Sequence, residues 1–421
     1  MPSAPSRLPA APLPRGPAGG ARQADLREHN LAVLAQTLFA SDRPLSRADL
    51  AARTGMTRST TSRLVEDLVA ARIVTEGVAE PGRRGRPALP LAPARATVVG
   101  LGLEANVDYV AGRVLDLAGE VVAEEIRTGD LRGSDPRDVL GELGELGAAL
   151  TRPAGEVRPT LAGTVLALPG LIDGENGRLM LAPNLGWSDV VPADVLGSET
   201  VAALGGSVVL ANEAKLAALA AATAAPGRHG EQRTFVYVSA QVGVGAAVVL
   251  DGHVMTGPRG WAGEIGHVCV EPDGPRCGCG ARGCLEQYAG KRAILANAGL
   301  DADSRPADLL AAEHTAGPSG ERARQALDRA AWALGVVLAG TVNTLDVDRI
   351  VLGGELAPLA DRLRPVLLAE LTARVLAAPW SDLRVRGAGD DVALATTGGA
   401  LLALRTVLEN PARWVPERTA P

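Results

Sequence analysis

The stretch that decides the fold is residues 261–286, WAGEIGHVCVEPDGPRCGCGARGCLE. It sets His267, Cys277, Cys279 and Cys284 around a glycine-rich turn, with Glu264 and Glu286 at its two ends. Three thiolates and one imidazole at such close range fill the four positions of a tetrahedral zinc ion and leave none open for a reactive water. The expected metal is therefore structural Zn2+. Two carboxylates tethered beside that knot are held still enough to grip a polar ligand, although bracing the knot is their other reading. Cys269 lies in the same stretch and is expected to be a buried strand residue.

Every cysteine of the chain falls inside this stretch, and Cys277 and Cys279 are too close for an easy mutual bridge. That clustering suits a reducing, cytoplasmic setting rather than a secreted disulfide framework. With 421 residues and 47% apolar content, two or three domains with large cores are expected. Aromatics make up only 2%, so those cores are built from Ala, Val and Leu. The net charge of −6 conceals an asymmetry. Residues 1–95 hold 14 Arg and no Lys against 8 acidic residues, whereas the remainder holds 28 basic and 40 acidic. A basic head on an acidic body predicts that only the head meets a polyanion. No apolar run is long enough for a membrane span. Residues 1–23, rich in Pro, Ala and Gly, lack the apolar core of a signal peptide and are expected to form a disordered leader.

Residues 24–92 read as a winged helix-turn-helix. Leu26, Leu31, Leu34, Ala35 and Leu38 follow helical spacing. Ser46 opens a second helix with Asp49 as its capping-box partner, and Gly55 ends it. Thr57 caps a third helix to about Arg72, whose buried face is Thr61, Leu64, Val65 and Leu68. Arg58, Ser59, Ser62 and Arg63 lie opposite that face. In a major groove an Arg pairs bidentately with guanine, and a Ser bonds a base edge or a phosphate. A solvated face in a protein-interaction module is the other reading of this helix. Strands near residues 73–78 and 88–91 form a wing around Gly82-Arg83-Arg84-Gly85-Arg86-Pro87. Gly and Pro keep that loop slim, so Arg83, Arg84 and Arg86 are placed to enter a narrow A·T-rich minor groove.

Beyond Ala94 the texture changes to α/β. Strands are expected near residues 98–103, 109–115, 120–125, 163–168, 207–210, 234–238, 245–250 and 349–352, alternating with helices. Taken with the zinc stretch, this body resembles the ROK family, which groups sugar kinases with sugar-responsive repressors carrying an N-terminal winged helix. The resemblance rests on Glu264-Ile265-Gly266-His267, Cys277-Gly278-Cys279 and Cys284-Leu285-Glu286. Leu168-Pro169-Gly170, Ala182-Pro183-Asn184-Leu185, Asn212-Glu213-Ala214 and Val351-Leu352-Gly353-Gly354 add to it. It implies an α/β fold: a winged helix-turn-helix, then a two-lobed actin-like (ribonuclease H-like) domain over residues 96–410, then a tail at 411–421. It also implies that sugar hydroxyls meet Asn184, Asn212, Glu213, Glu264, His267 and Glu286. Amides and carboxylates accept and donate in pairs, which suits vicinal hydroxyls.

The chain departs from the kinase pattern where phosphoryl transfer would occur. Glu213 stands where the resembled kinases place an Asp general base, and one more methylene moves the carboxylate by about 1.5 Å, enough to spoil in-line attack. Their first phosphate loop, Asp-x-Gly-Gly-Thr, aligns with Gly102-Leu103-Glu104-Ala105-Asn106, and the second has become Gln241-Val242-Gly243. Glu104 sets negative charge where phosphates need backbone N–H groups. The expectation is thus a repressor of carbohydrate-utilisation genes and not an enzyme. It would bind operator double-stranded DNA as a homodimer, or as a tetramer, and be released by a sugar or sugar derivative. The alternatives are an ATP-dependent sugar kinase with a fused DNA-binding head and a ligand-independent DNA-binding regulator.

Overall fold

The computed structural model describes residues 23–77, 89–152 and 158–416. All of the expected leader but Gln23, which opens the first helix, and the arginines Arg83, Arg84 and Arg86 of the wing tip lie outside the described residues. The head begins with α1 (Gln23–Phe39), α2 (Arg47–Thr54) and α3 (Arg58–Ala70). Local chemistry explains each break. Ser46 accepts from the Asp49 N–H while the Asp49 carboxylate accepts from the Ser46 N–H, so both orphan donors at the start of α2 are satisfied. Gly55 leaves α2 at φ 72°, a left-handed conformation that favours glycine. Thr57 then caps α3 by accepting from the Thr60 N–H at 3.2 Å. Strands β1 (Val74–Glu76) and β2 (Leu91–Pro93) pair antiparallel, and Leu91 also bridges Leu45 between α1 and α2.

Thr61, Leu64, Val65 and Leu68 are buried as the helical spacing predicts. Asp67 is buried beside them, a residue the apolar pattern alone misses. Arg27 on α1 pairs with it at 2.8 Å, and a buried carboxylate tolerates the interior only with such a partner.

The body holds two lobes built on one plan. In the first are β3 (Val98–Ala105), β4 (Tyr109–Asp116), β5 (Val121–Thr128), α4 (Pro136–Leu150) and β6 (Thr160–Leu168). A small antiparallel sheet follows, of β7 (Leu171–Asp173), β8 (Arg178–Ala182) and β9 (Trp187–Val190), and then α5 (Pro192–Ala203), β10 (Val208–Asn212) and α6 (Glu213–Ala221). A hairpin of β11 (Thr223–Ala225) and β12 (Arg228–His229) leads into the second lobe. That lobe contains β13 (Phe235–Ala240), β14 (Val244–Leu250), β15 (His253–Val254), α7 (Glu286–Ala289), α8 (Lys291–Ala298) and α9 (Pro306–Glu313). It ends with α10 (Pro318–Leu345), β16 (Arg349–Gly354), α11 (Ala360–Arg374), β17 (Arg384–Gly387) and α12 (Leu394–Glu409).

The first sheet runs β5-β4-β3-β6-β10 and the second β15-β14-β13-β16-β17. In both, three antiparallel strands are extended by two parallel ones. Helices α6 and α12 fill the space between the sheets. Leu216 and Ala217 of α6 and Ala395 and Ala403 of α12 share one cluster with Val165, Ala167, Phe235 and Tyr237. The small residues of these helices let both close against Phe235 and Tyr237 of the second sheet.

The head is seated on this body rather than hung from it. Leu31, Leu34, Leu38 and Phe39 of α1 share a buried cluster with Ala400, Leu404 and Leu408 of α12 and Leu115 of β4. Gly227, at the tip of the hairpin, comes so close that a Cβ there would lie 2.8 Å from Phe39 Cβ and 2.8 Å from Leu408 Cδ1. Part of the stretch expected as a tail is tied down as well: residues Pro411–Trp414 form a 3-10 turn, and Trp414 packs against the same cluster.

Candidate functional site

The knot at 267–284 forms where the chain turns back on itself through an isolated bridge between Cys269 and Cys284. The ligand atoms of His267, Cys277, Cys279 and Cys284 all lie within 4.8 Å of one another. His267 Nδ1 is 3.8 Å from Cys277 Sγ, and Cys279 Sγ is 3.7 Å from Cys284 Sγ. With Zn–S bonds of 2.3 Å, neighbouring sulfurs on a tetrahedral ion stand about 3.8 Å apart, so the donor set fits zinc. Burial raises the Cys277 thiol and pushes that of Cys284 to about 12. A bound dication would supply the charge that stabilises the thiolates. Cys269 differs from expectation: it is exposed and stands outside the donor group. Of its neighbours, Val270 packs on the core of the second lobe while Val268 is exposed, so the short segment around Cys269 does not follow a buried strand's alternation.

Beside the knot, between the lobes, lies a cleft that opens to solvent. Asn184, Asn212, Glu213, Glu264, His267 and Glu286 all line it, although they come from positions up to about a hundred residues apart in sequence. Asn212 and Glu213 sit where β10 passes into α6. Asn212 caps that helix by accepting from the Lys215 N–H at 3.2 Å and donates to the Gly170 carbonyl at 3.1 Å, so half of its hydrogen-bonding capacity is structural. Glu286 opens α7 and accepts from the Val244 N–H at 3.3 Å. Gly243 makes this approach possible, because a Cβ there would fall 2.5 Å from Glu286 Oε2 and 2.6 Å from Asn184 Nδ2. Burial raises Glu264, against the pull of Lys215, and burial raises Glu213 to about 7.

The ROK family profile matches residues 100–406. The chain belongs to the ROK family. A MarR family profile matches residues 25–85, the winged head. The xylose repressor of Bacillus spizizenii is 26% identical over 339 residues, covering 79% of this chain and 84% of its own length. The glucokinase of Halalkalibacterium halodurans is 30% identical over 247 residues, 55% of this chain and 73% of its own. Among solved structures, a ROK family transcriptional regulator described as a homologue of the Escherichia coli MLC protein superposes with a TM-score of 0.74 at 24% identity. That superposition covers 93% of this chain and 99% of the other, and it speaks for the fold.

Within this ROK body, the segments expected to match kinase phosphate loops, residues 102–106 and 241–243, are packed with side chains. Asn106 Nδ2 donates to Glu213 Oε2 at 2.8 Å and to Gln241 Oε1. Gln241 Nε2 in turn donates to Tyr109 Oη at 3.3 Å. Tyr109 Oη stands 2.8 Å from Glu104 Oε1 and 2.9 Å from the Val392 carbonyl. A phenol has one proton for these two acceptors, so a neutral Glu104 carboxyl completes the set. Burial, reinforced by nearby Glu213, raises Glu104 well above the ordinary carboxyl range. Asn106 and Gln241 also line the cleft. Sequence reasoning met them only as remnants of lost loops. Their amide chemistry was the available signal, but nothing in the linear order brings residues 106 and 241 together.

On the head, Arg58, Ser59 and Arg63 are exposed and Ser62 is partly so, all on the outer side of α3. No helix among the described residues is long and apolar enough to cross a membrane.

Proposed function

We propose that this ROK chain is a sugar-responsive, DNA-binding transcriptional repressor. Its winged head takes operator DNA, and its interlobe cleft takes a sugar that weakens that grip. The observation that carries this reading is that helix α6 runs from the cleft to the head, while α12 runs there from the small cavity beside the cleft. Glu213 opens α6 at the cleft, and α6 leads into the hairpin whose Gly227 touches Phe39 of α1. Leu394 and Ala395 start α12 beside Glu213 and Gln241, and Leu408 near its far end meets the same Phe39 cluster. A ligand that changes the angle between the lobes therefore moves the seat of the head. In a homodimer that motion alters the spacing of two recognition helices, a rigid demand of the duplex.

Arg58, Ser59, Ser62 and Arg63 are the proposed groove contacts, with Arg83, Arg84 and Arg86 reaching the minor groove from the wing. Asn184, Asn212, Glu213, Glu264, His267 and Glu286 are the proposed sugar contacts. His267 Nδ1 faces the cysteines, which leaves Nε2 for the ligand, so that structural zinc would stiffen the wall that holds the sugar. Glu213 at the kinases' general-base position, with Glu104 and Gln241 at their phosphate-loop positions, supports a body without phosphoryl transfer. The relatedness to xylose repressors favours the same reading, and the glucokinase likeness keeps a kinase as the rival. Footprinting on the chain's own upstream DNA, with and without a panel of monosaccharides, tests it: protection that one sugar relieves is expected. ATP consumption with any of those sugars at enzyme-like rates would favour the kinase instead.

A further inference from the structure

The first phosphate-loop position and the second have become each other's partners across the cleft. Asn106 Oδ1 accepts from the Val107 N–H at 2.7 Å, which fixes the amide so that Nδ2 faces Glu213 and Gln241. Gln241 is steadied by Tyr109 and by its own N–H, which donates to the Gly243 carbonyl at 2.9 Å. Alongside, Lys291 of the second lobe, itself paired with Glu355 at 3.1 Å, ties the same turn down through Asp108 at 3.4 Å. On the near side of this pair lies the cleft, and on the far side a second small cavity lined by Glu104, Glu213, Tyr237, Ser239 and Asp391. Glu213 and Gln241 border both cavities, so the Asn106–Gln241 pair stands as a wall between them.

The charges on the two sides agree with each other. Glu213, Glu264 and Glu286 line the cleft, and no Lys or Arg does so among the described residues. Glu104, Glu213 and Asp391 line the far cavity, where the buried Oε2 of Glu104 has no hydrogen-bond partner. The neighbouring cations are already engaged: Arg113 by Asp391 and Glu124, Lys215 by the Gly260 carbonyl, and Lys291 as above. A phosphate dianion would meet the Glu264 and Glu286 carboxylates with no Lys or Arg lining the cleft among the described residues, and beside it the buried carboxyls of Glu104 and Glu213 could ionise only at further cost.

We propose that Asn106 and Gln241 form a side-chain partition that ends the sugar cleft at Glu213 and restricts the effector to an uncharged, unphosphorylated sugar with a free hydroxyl at that end. This rests on the reading of the cleft as a sugar site. The partition excludes bulk, and the carboxylates exclude negative charge.

The test uses the full-length zinc-loaded chain and calorimetry with matched sets: each free sugar, its O-methyl ethers and its phosphate monoesters. The free sugar that binds should outcompete its phosphate ester by about a hundredfold or more, since like-charge juxtaposition costs several kcal/mol. A phosphate ester that binds as well as the free sugar overturns the partition and leaves the sugar reading standing. If no carbohydrate binds in any form, the sugar reading falls and the proposal with it. The double variant Asn106→Ala with Gln241→Ala separates bulk from charge. It should admit the O-methyl ether facing Glu213 while still rejecting the phosphate ester. A double variant that binds the free sugar but still refuses every ether overturns the role given to these two residues, and if that variant fails to fold, the comparison on the unmodified chain decides.

Discussion

Glu213 accepts a hydrogen bond from Asn106 at the back of the cleft, and burial raises its carboxyl from 4.5 to about 7. A folded-state value above the unfolded one means that the fold disfavours the ionised form. This group's contribution to stability is therefore intact below about pH 4.5, falls as the pH climbs to about 7, and is fully lost above that. The loss is at most about 3–4 kcal/mol, because one pKa unit corresponds to about 1.4 kcal/mol. Glu213→Gln keeps an acceptor for Asn106 and removes the charge. Its melting temperature should exceed that of the unmodified chain at pH 8 and match it near pH 4.5, and equal melting temperatures at both pH values would show that the carboxylate is not buried at a cost. At the knot, Cys279→Ser should lower the zinc content of the purified chain and its melting temperature together, since one of four donors is lost. Metal analysis finding unchanged zinc would remove Cys279 from the donor set. These residues were legible from the sequence because thiol, imidazole and carboxylate chemistry is local. Asn106 and Gln241 were not, since amides are common and only the fold makes them partners.

Among the elements, α3 was readable almost residue by residue: its cap at Thr57 and its buried stripe both follow from helical periodicity and N-terminal hydrogen bonding. Arg63→Ala on its exposed face should cost about 1–3 kcal/mol against the specific operator and relax discrimination at one base position. Titration of operator and unrelated duplexes checks this, and equal losses on both would make Arg63 a phosphate contact. The small sheet of β7, β8 and β9 escaped sequence reading because its strands have 3, 5 and 4 residues, too few for alternation to register. The hairpin β11–β12 was missed for the same reason, yet it touches the head. Leu408→Ala, at the α12 end of that contact, deletes buried atoms worth about 2–5 kcal/mol. Sugar affinity should survive while the sugar's effect on operator binding shrinks, as calorimetry and gel shifts run on the same preparation would reveal. Undiminished release by sugar would place the coupling elsewhere.

Across the whole molecule, the proposed division of labour gives sensing to the cleft and DNA binding to the head. Glu264→Gln should weaken the response to sugar several-fold and leave operator affinity in the absence of sugar unchanged, measured by DNA binding over a sugar titration. Loss of DNA binding in that variant would mean that cleft and head do not work as separate sites joined by a seat. The fold class, the basic head and the acidic body could be foreseen because charge, helical spacing and the knot's motif are properties of short segments. The seating of the head on α12 could not, because Phe39, Gly227 and Leu408 are ordinary residues far apart in the chain. Nor could the meeting of Asn106, Gln241 and Glu213 beside the two cavities. Donor types and spacings specify what a segment can bind, and they act over a few residues. Which surfaces meet, which passages are shut and which helices carry motion depend on how two sheets pack around α6 and α12, and that is settled only when distant segments exclude water together.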